Sequence, residues 1–114
     1  MLSLPNRLKK DKDLEAVFKK GRPFFAKFFT VKAIPNNLEV SRFGFAVSTK
    51  ISKSAVKRNR VRRQLREAVR ALLLEIKPGF DVVVMGKSEL LDKDLKTITS
   101  ALGWSFEKMN LLKR

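Results

Sequence analysis

The 114 residues include no cysteine and no histidine. The first absence excludes disulfides, the two together exclude zinc sites of the Cys/His kind, and the second removes imidazole acid–base chemistry. Acidic residues are scarce, 11 against 26 Lys and Arg, which leaves a formal charge of +15 and a sequence pI near 10.7. Long apolar runs are missing too. "ALLL" and "VVVM" are far too short to cross a bilayer, and the opening "MLSLPNRLKK" has no apolar leader region. The expectation is an unprocessed cytoplasmic protein, in keeping with the lack of cysteine, with no membrane partner.

What remains is a folded domain, not a disordered basic tail. Hydrophobic residues make up 44% and there are nine phenylalanines to one tryptophan, enough for a modest core at this length. No repeat, low-complexity segment or Gly/Ser-rich linker interrupts the chain, so residues 1–114 read as one domain. A charge of +15 opposes compaction, and a polyanionic partner is the default explanation.

Patterning divides the chain into elements. "DKDLEAVFKKG" predicts a short helix with Leu14, Val17 and Phe18 on one face, acids at its start, lysines at its end and Gly21 to stop it. "FFAKFFTVKAI" and "VSRFGFAVST" predict strands, the first open to division in two, with a turn at Asn36 and Asn37. "FDVVVMG" predicts a strand buried on both faces. From about Asp92, Leu95, Ile98, Leu102, Phe106 and Met109 follow helical spacing. Phe28, Phe29, Phe43, Phe45 and Phe80 are expected mostly in the core.

Between the last two strands lies "KSAVKRNRVRRQLREAVRALL". At about 100° per residue, Val61, Leu65, Ala68, Val69, Leu72 and Ile76 share one arc, and Asn59, Arg62, Arg63, Arg66 and Arg70 share the next. Arg60 lies at the far edge of that arc and Arg58 near the apolar boundary. Like charges at i,i+4, such as Arg58/Arg62 and Arg62/Arg66, cost a few tenths of a kcal/mol each in an isolated helix. A phosphate backbone reverses that cost, and the planar guanidinium fork binds phosphate oxygens bidentately. Asn59 is suited either to capping the helix or to contacting a base edge or phosphate.

The string "RNRVRRQLRE", following "GFAVSTKISKSAVK" and preceding "GFDVVV", resembles the signature of the bacterial ribonuclease P protein subunit. "NRLKKDKDLEAVFKKG" resembles the opening of the same family. The resemblance implies an α/β fold, an α+β sandwich of ribosomal-protein-like kind in the order α-β-β-β-α-β-α. Its four-stranded sheet carries the arginine-rich helix in a left-handed β-α-β crossover, against the general right-handed rule. It also implies a non-catalytic protein subunit of an endoribonuclease, with the active site and Mg²⁺ held mainly by the RNA subunit. By the same resemblance Lys57, Arg58, Asn59, Arg60, Arg62, Arg63, Arg66 and Arg70 would bind the catalytic RNA. Phe18, Ser48 and Lys50 would belong to a cleft for the single-stranded 5′ leader of precursor tRNA. One protein per RNA is expected, with self-association left open. Leu14 stands where many relatives carry an aromatic, and Thr49 and Ser52 depart from the usual lysine and glycine.

Three other classes compete. A protein-only nuclease needs carboxylates grouped around metal ions, whereas Asp11/Asp13 and Asp92/Asp94 sit where helix starts explain them. No catalytic or metal-ligating residue is expected. A general nucleic-acid binder would more often pair its basic helix with a second helix than with flanking strands. A membrane-surface module would show an aromatic belt where this helix carries Val, Leu, Ala and Ile.

Overall fold

The computed structural model describes residues 4–113; Met1–Ser3, the opening of the stretch inspected for a leader, lies outside them. Helix α1 covers Asp11–Lys20, with Asp11 and Asp13 in its first turn and Lys19 and Lys20 in its last, each sign on the favourable end of the helix dipole. It stops at Gly21, whose amide donates to the Val17 carbonyl at 2.7 Å. A Cβ at position 21 would sit 2.4 Å from that oxygen, so the close approach, not a left-handed turn, selects glycine.

The aromatic stretch is two strands. β1 (Arg22–Phe25) and β2 (Phe29–Pro35) form an antiparallel hairpin, and β2 continues antiparallel to β4 (Phe80–Gly86). β3 (Arg42–Ala46) runs parallel to β4, which gives the order β1-β2-β4-β3. Helix α2 (Ala55–Leu72) links β3 to β4, and α3 (Leu95–Lys108) follows β4. The turn between β2 and β3 uses Asn37 at φ 61°, a conformation asparagine tolerates better than most residues.

Both helices after β3 pack on one face of the sheet. Val61, Leu65, Ala68 and Val69 from α2, and Ile98, Leu102 and Phe106 from α3, meet Phe29, Val31, Phe43, Val82 and Val84. The opposite face is covered by α1, where Val17 and Leu8 enclose Val83 with Leu14, Ile34 and Met85 around them. β4 is therefore buried on both sides, as its unbroken apolar run predicts.

Some expectations shift. Leu95 is 43% exposed, because α3 begins at that residue with Asp94 as its cap and its first turn overhangs the core. Ile76 is buried but lies beyond α2, in a bridge to Leu112. Of the five phenylalanines expected in the core, Phe29 and Phe43 are buried while Phe28, Phe45 and Phe80 are half-buried.

One polar knot ties α1 to the sheet. The Arg42 guanidinium donates to both oxygens of the buried Asp81, from Nε at 2.8 Å and Nη2 at 2.6 Å. Asn36 Nδ2 adds a third bond to Asp81 at 2.8 Å, and Arg42 also reaches Asp13 of α1 at 3.3 Å. Hydrogen bonding to Asp81 holds the Arg42 pKa above its usual value. The β3 edge is met by the chain before α1: Arg7 bridges Phe43, and the Leu8 amide donates to the Phe43 carbonyl at 2.9 Å.

Candidate nucleic-acid interface

The cationic helix starts where its cap places it. Ser54 Oγ accepts from the Lys57 amide at 3.3 Å, so Ser54 caps α2 and Asn59 does not. Asn59 lies in the helix and its Oδ1 accepts from Arg62 Nη1 at 2.8 Å, which fixes the guanidinium and corrects the capping alternative.

The arginines then divide by task. Arg58 Nη1 donates to the Ser52 carbonyl at 2.8 Å, and Arg62 Nη2 to the Val47 carbonyl at 3.2 Å. Both tie residues 47–54 onto α2, and each guanidinium has further donors to offer. Lys57, Arg60 and Arg63 are exposed. Arg70 pairs with Glu67 at 3.5 Å on the surface, where such a pair contributes about 0–1 kcal/mol. With Val61, Leu65 and Val69 fully engaged on the sheet, the helix cannot roll to hide its charged side.

Arg66 faces a concavity of about 300 Å³ that it shares with Arg7, Lys9, Leu14, Gly44 and Phe45. Arg7 and Lys9 were not singled out in the sequence, although "NRLKK" advertises them; only the bridge from Arg7 to Phe43 brings that string beside α2.

Leader-cleft candidates fall in two places. Phe18 is in the last turn of α1 and 38% exposed, and Lys32 Nζ donates to its carbonyl at 2.9 Å. Beside α1, the register aligns Phe25, Thr30, Met85 and Ala46 in one row across the four strands, and residues so paired point to one face. Phe25 is 74% exposed, and Thr30, Met85 and Ala46 are half-buried, so this part of the α1-side face is open. Ser48 and Lys50 are exposed in the loop between β3 and α2. Among the described residues no hydrogen bond joins them to Phe18; they sit at the end of that row nearest the arginine helix.

The carboxylates are committed elsewhere. Asp94 accepts from the Thr97 amide at 2.9 Å, and its hydrogen bonds to Thr97 hold its pKa below the ordinary value. Asp92 pairs with Lys93 and Asp13 with Arg42. Among the described residues no group of three or more acids is arranged to hold a metal ion, and no helix is long and apolar enough to cross a membrane.

Comparison with known proteins identifies the family. The family model for Ribonuclease P matches residues 2–110. The chain is 39% identical over 108 residues to the ribonuclease P protein component of Clostridioides difficile, covering 94% of this chain and 89% of that one. It is 37% identical over 107 residues to that of Alkaliphilus metalliredigens, covering 94% and 96%. Among solved structures, the RNase P protein of Staphylococcus aureus superposes with a TM-score of 0.84 at 26% identity over 95% of this chain and 98% of that one. The protein from Thermotoga maritima gives 0.81 at 29% identity over 90% and 96%. With a family match over almost its whole length, the chain belongs to the ribonuclease P protein family, and so to the endoribonuclease complex that processes tRNA 5′ ends in partnership with ribonuclease P RNA.

Proposed function

We propose that this chain is the non-catalytic subunit of that complex and acts through two surfaces. The exposed side of α2, with Lys57, Arg60, Arg63, the part-engaged Arg58 and Arg62 and the half-buried Arg66, grips the phosphate backbone of the catalytic RNA. The open α1-side face next to Phe18, extended by Ser48 and Lys50, holds the unpaired 5′ leader of precursor tRNA. Hydrolysis belongs to Mg²⁺ bound mainly by the RNA. This complex works in the cytoplasm with one protein per RNA. The observation that carries the reading is a single helix whose apolar face is locked on the sheet while its cations face outward.

The direct test is precursor tRNA cleavage at low magnesium with bacterial ribonuclease P RNA. Stimulated release of the leader when the protein is added, and none from the protein alone, is the expected result. No stimulation of a competent RNA would overturn the reading.

Each surface has its own variant. Each neutralised phosphate contact contributes roughly 0.7–0.9 to the salt slope of binding, so R60Q/R63Q should lower the slope of holoenzyme assembly by about 1.5. An unchanged slope would remove these residues from the docking face. Base–aromatic stacking corresponds to about a fivefold to hundredfold change in affinity. Phe18→Ala should weaken binding of a precursor with a leader by that order and leave mature tRNA binding unchanged. Equal loss for both RNAs would contradict the cleft assignment.

A further inference from the structure

At the far edge of the sheet from β3, a second basic and aromatic surface lies away from the arginine helix and adjoins the end of α1. A groove of about 610 Å³ opens between β1 and the C-terminal end of α3. Its cations are Lys20, Arg22 and Lys108, its apolar lining includes Phe24 and Phe80, and among the described residues no carboxylate lines it. Trp104, next to the lining residues Phe24 and Lys108 but not itself in the lining, is 54% exposed. Phe24 packs against the indole in a T-shaped contact, with centroids 5.7 Å apart and planes at 62°, and Lys108 Nζ lies over the ring, 5.8 Å from its centroid.

We propose that this groove binds an unpaired segment of RNA, with a base stacked on Trp104 and the adjoining phosphates held by Arg22 and Lys108. The two contacts hold the indole in place while about half of it stays exposed, and an aromatic so placed beside cations is the composition that stacks unpaired bases with little sequence preference. The volume lies within the ~300–1,000 Å³ range of ligand clefts. Cations without a carboxylate select a polyanion over an apolar peptide. Lys20 lies two residues beyond Phe18, so the groove begins where the last turn of α1 ends. The inference rests on the chain being an RNA-binding subunit but not on the Phe18 cleft.

Trp104 is the only tryptophan, which makes its emission a local reporter. The full chain would be titrated with an end-labelled single-stranded RNA of about eight nucleotides, following RNA anisotropy, Trp104 emission and acrylamide quenching together. The expected result is quenched emission and reduced acrylamide access as the RNA saturates, retained in Phe18→Ala. In R22E/K108E the Trp104 response should need at least about tenfold more RNA, and both side chains are at the surface, so the fold stays intact. Binding by anisotropy with no change at Trp104, or an unshifted Trp104 response in R22E/K108E, would overturn the proposal while leaving the Phe18 cleft standing. Loss of binding in Phe18→Ala alone would do the same, and no binding at all would overturn both. Protection of Trp104 that rises with protein concentration without RNA, matched by dimer in sedimentation, would assign the groove to a second copy and overturn it too.

Discussion

Arg42→Ala should lower the unfolding free energy by about 3 kcal/mol, the low end of what breaking a buried ion pair costs when one charge is left behind. Asp81 is only 4% exposed and would keep Asn36 as its remaining side-chain donor. The lower end is appropriate because the Arg42 side chain is itself 23% exposed, so water reaches part of the pair. The loss should appear in urea as a lower midpoint with an unchanged slope. Replacing both partners in R42M/D81L should restore most of it, since no uncompensated charge remains. Asp13→Ala should cost well under 1 kcal/mol, as its pairing is at the rim. A single Arg42→Ala variant within about 0.5 kcal/mol of the parent would show that the knot contributes little, since shifts of that size are typical of plain surface substitutions.

Leu65→Ala should cost about 3–4 kcal/mol, within the range for deleting a leucine from a fully packed site. Leu65 is 0% exposed at the centre of the α2 face that meets the sheet. Against a typical total of ~5–15 kcal/mol, one such loss removes a large fraction of the stability. Two residues away, Arg63→Ala should change stability by no more than about 0.5 kcal/mol while weakening RNA association. Thermal unfolding and RNA affinity measured on the two variants should therefore separate cleanly. If Arg63→Ala unfolded the protein as Leu65→Ala does, the two faces of α2 would not be independent.

The helices were legible because their signals are local. Apolar spacing in α2 identified Val61, Leu65, Ala68 and Val69, and all four are buried. The hairpin within the aromatic stretch was less so, because Ala26, Lys27 and Phe28 include none of the residues that usually mark a turn. It is closed from a distance: Lys87 donates from Nζ to the Ala26 carbonyl at 2.7 Å and from its amide to Phe28 at 2.9 Å. Asn59 was ambiguous because the cap belongs to Ser54, earlier in the same polar run. The pairing of Arg42 with Asp81, 39 residues apart, follows from the strand order, which no local pattern encodes. For the site, the cations of α2 were visible in the sequence, while the basic residues Arg7 and Lys9 joined them only through the fold.

The contact of Arg7 and Leu8 with Phe43 also governs how the molecule behaves in a crowd. An outermost strand offers a row of unpaired amides and carbonyls that recruits other chains, and proteins restrain this by covering the strand or placing proline and charge on it. Here the incoming chain occupies part of β3, and the four-residue β1 carries Arg22 and Pro23. Neither margin of the sheet presents a long, flat template, so neighbouring copies at high concentration have little to add strands to. Removing residues up to Leu8 would expose β3 and should increase aggregation through it, read as loss of monomer in sedimentation.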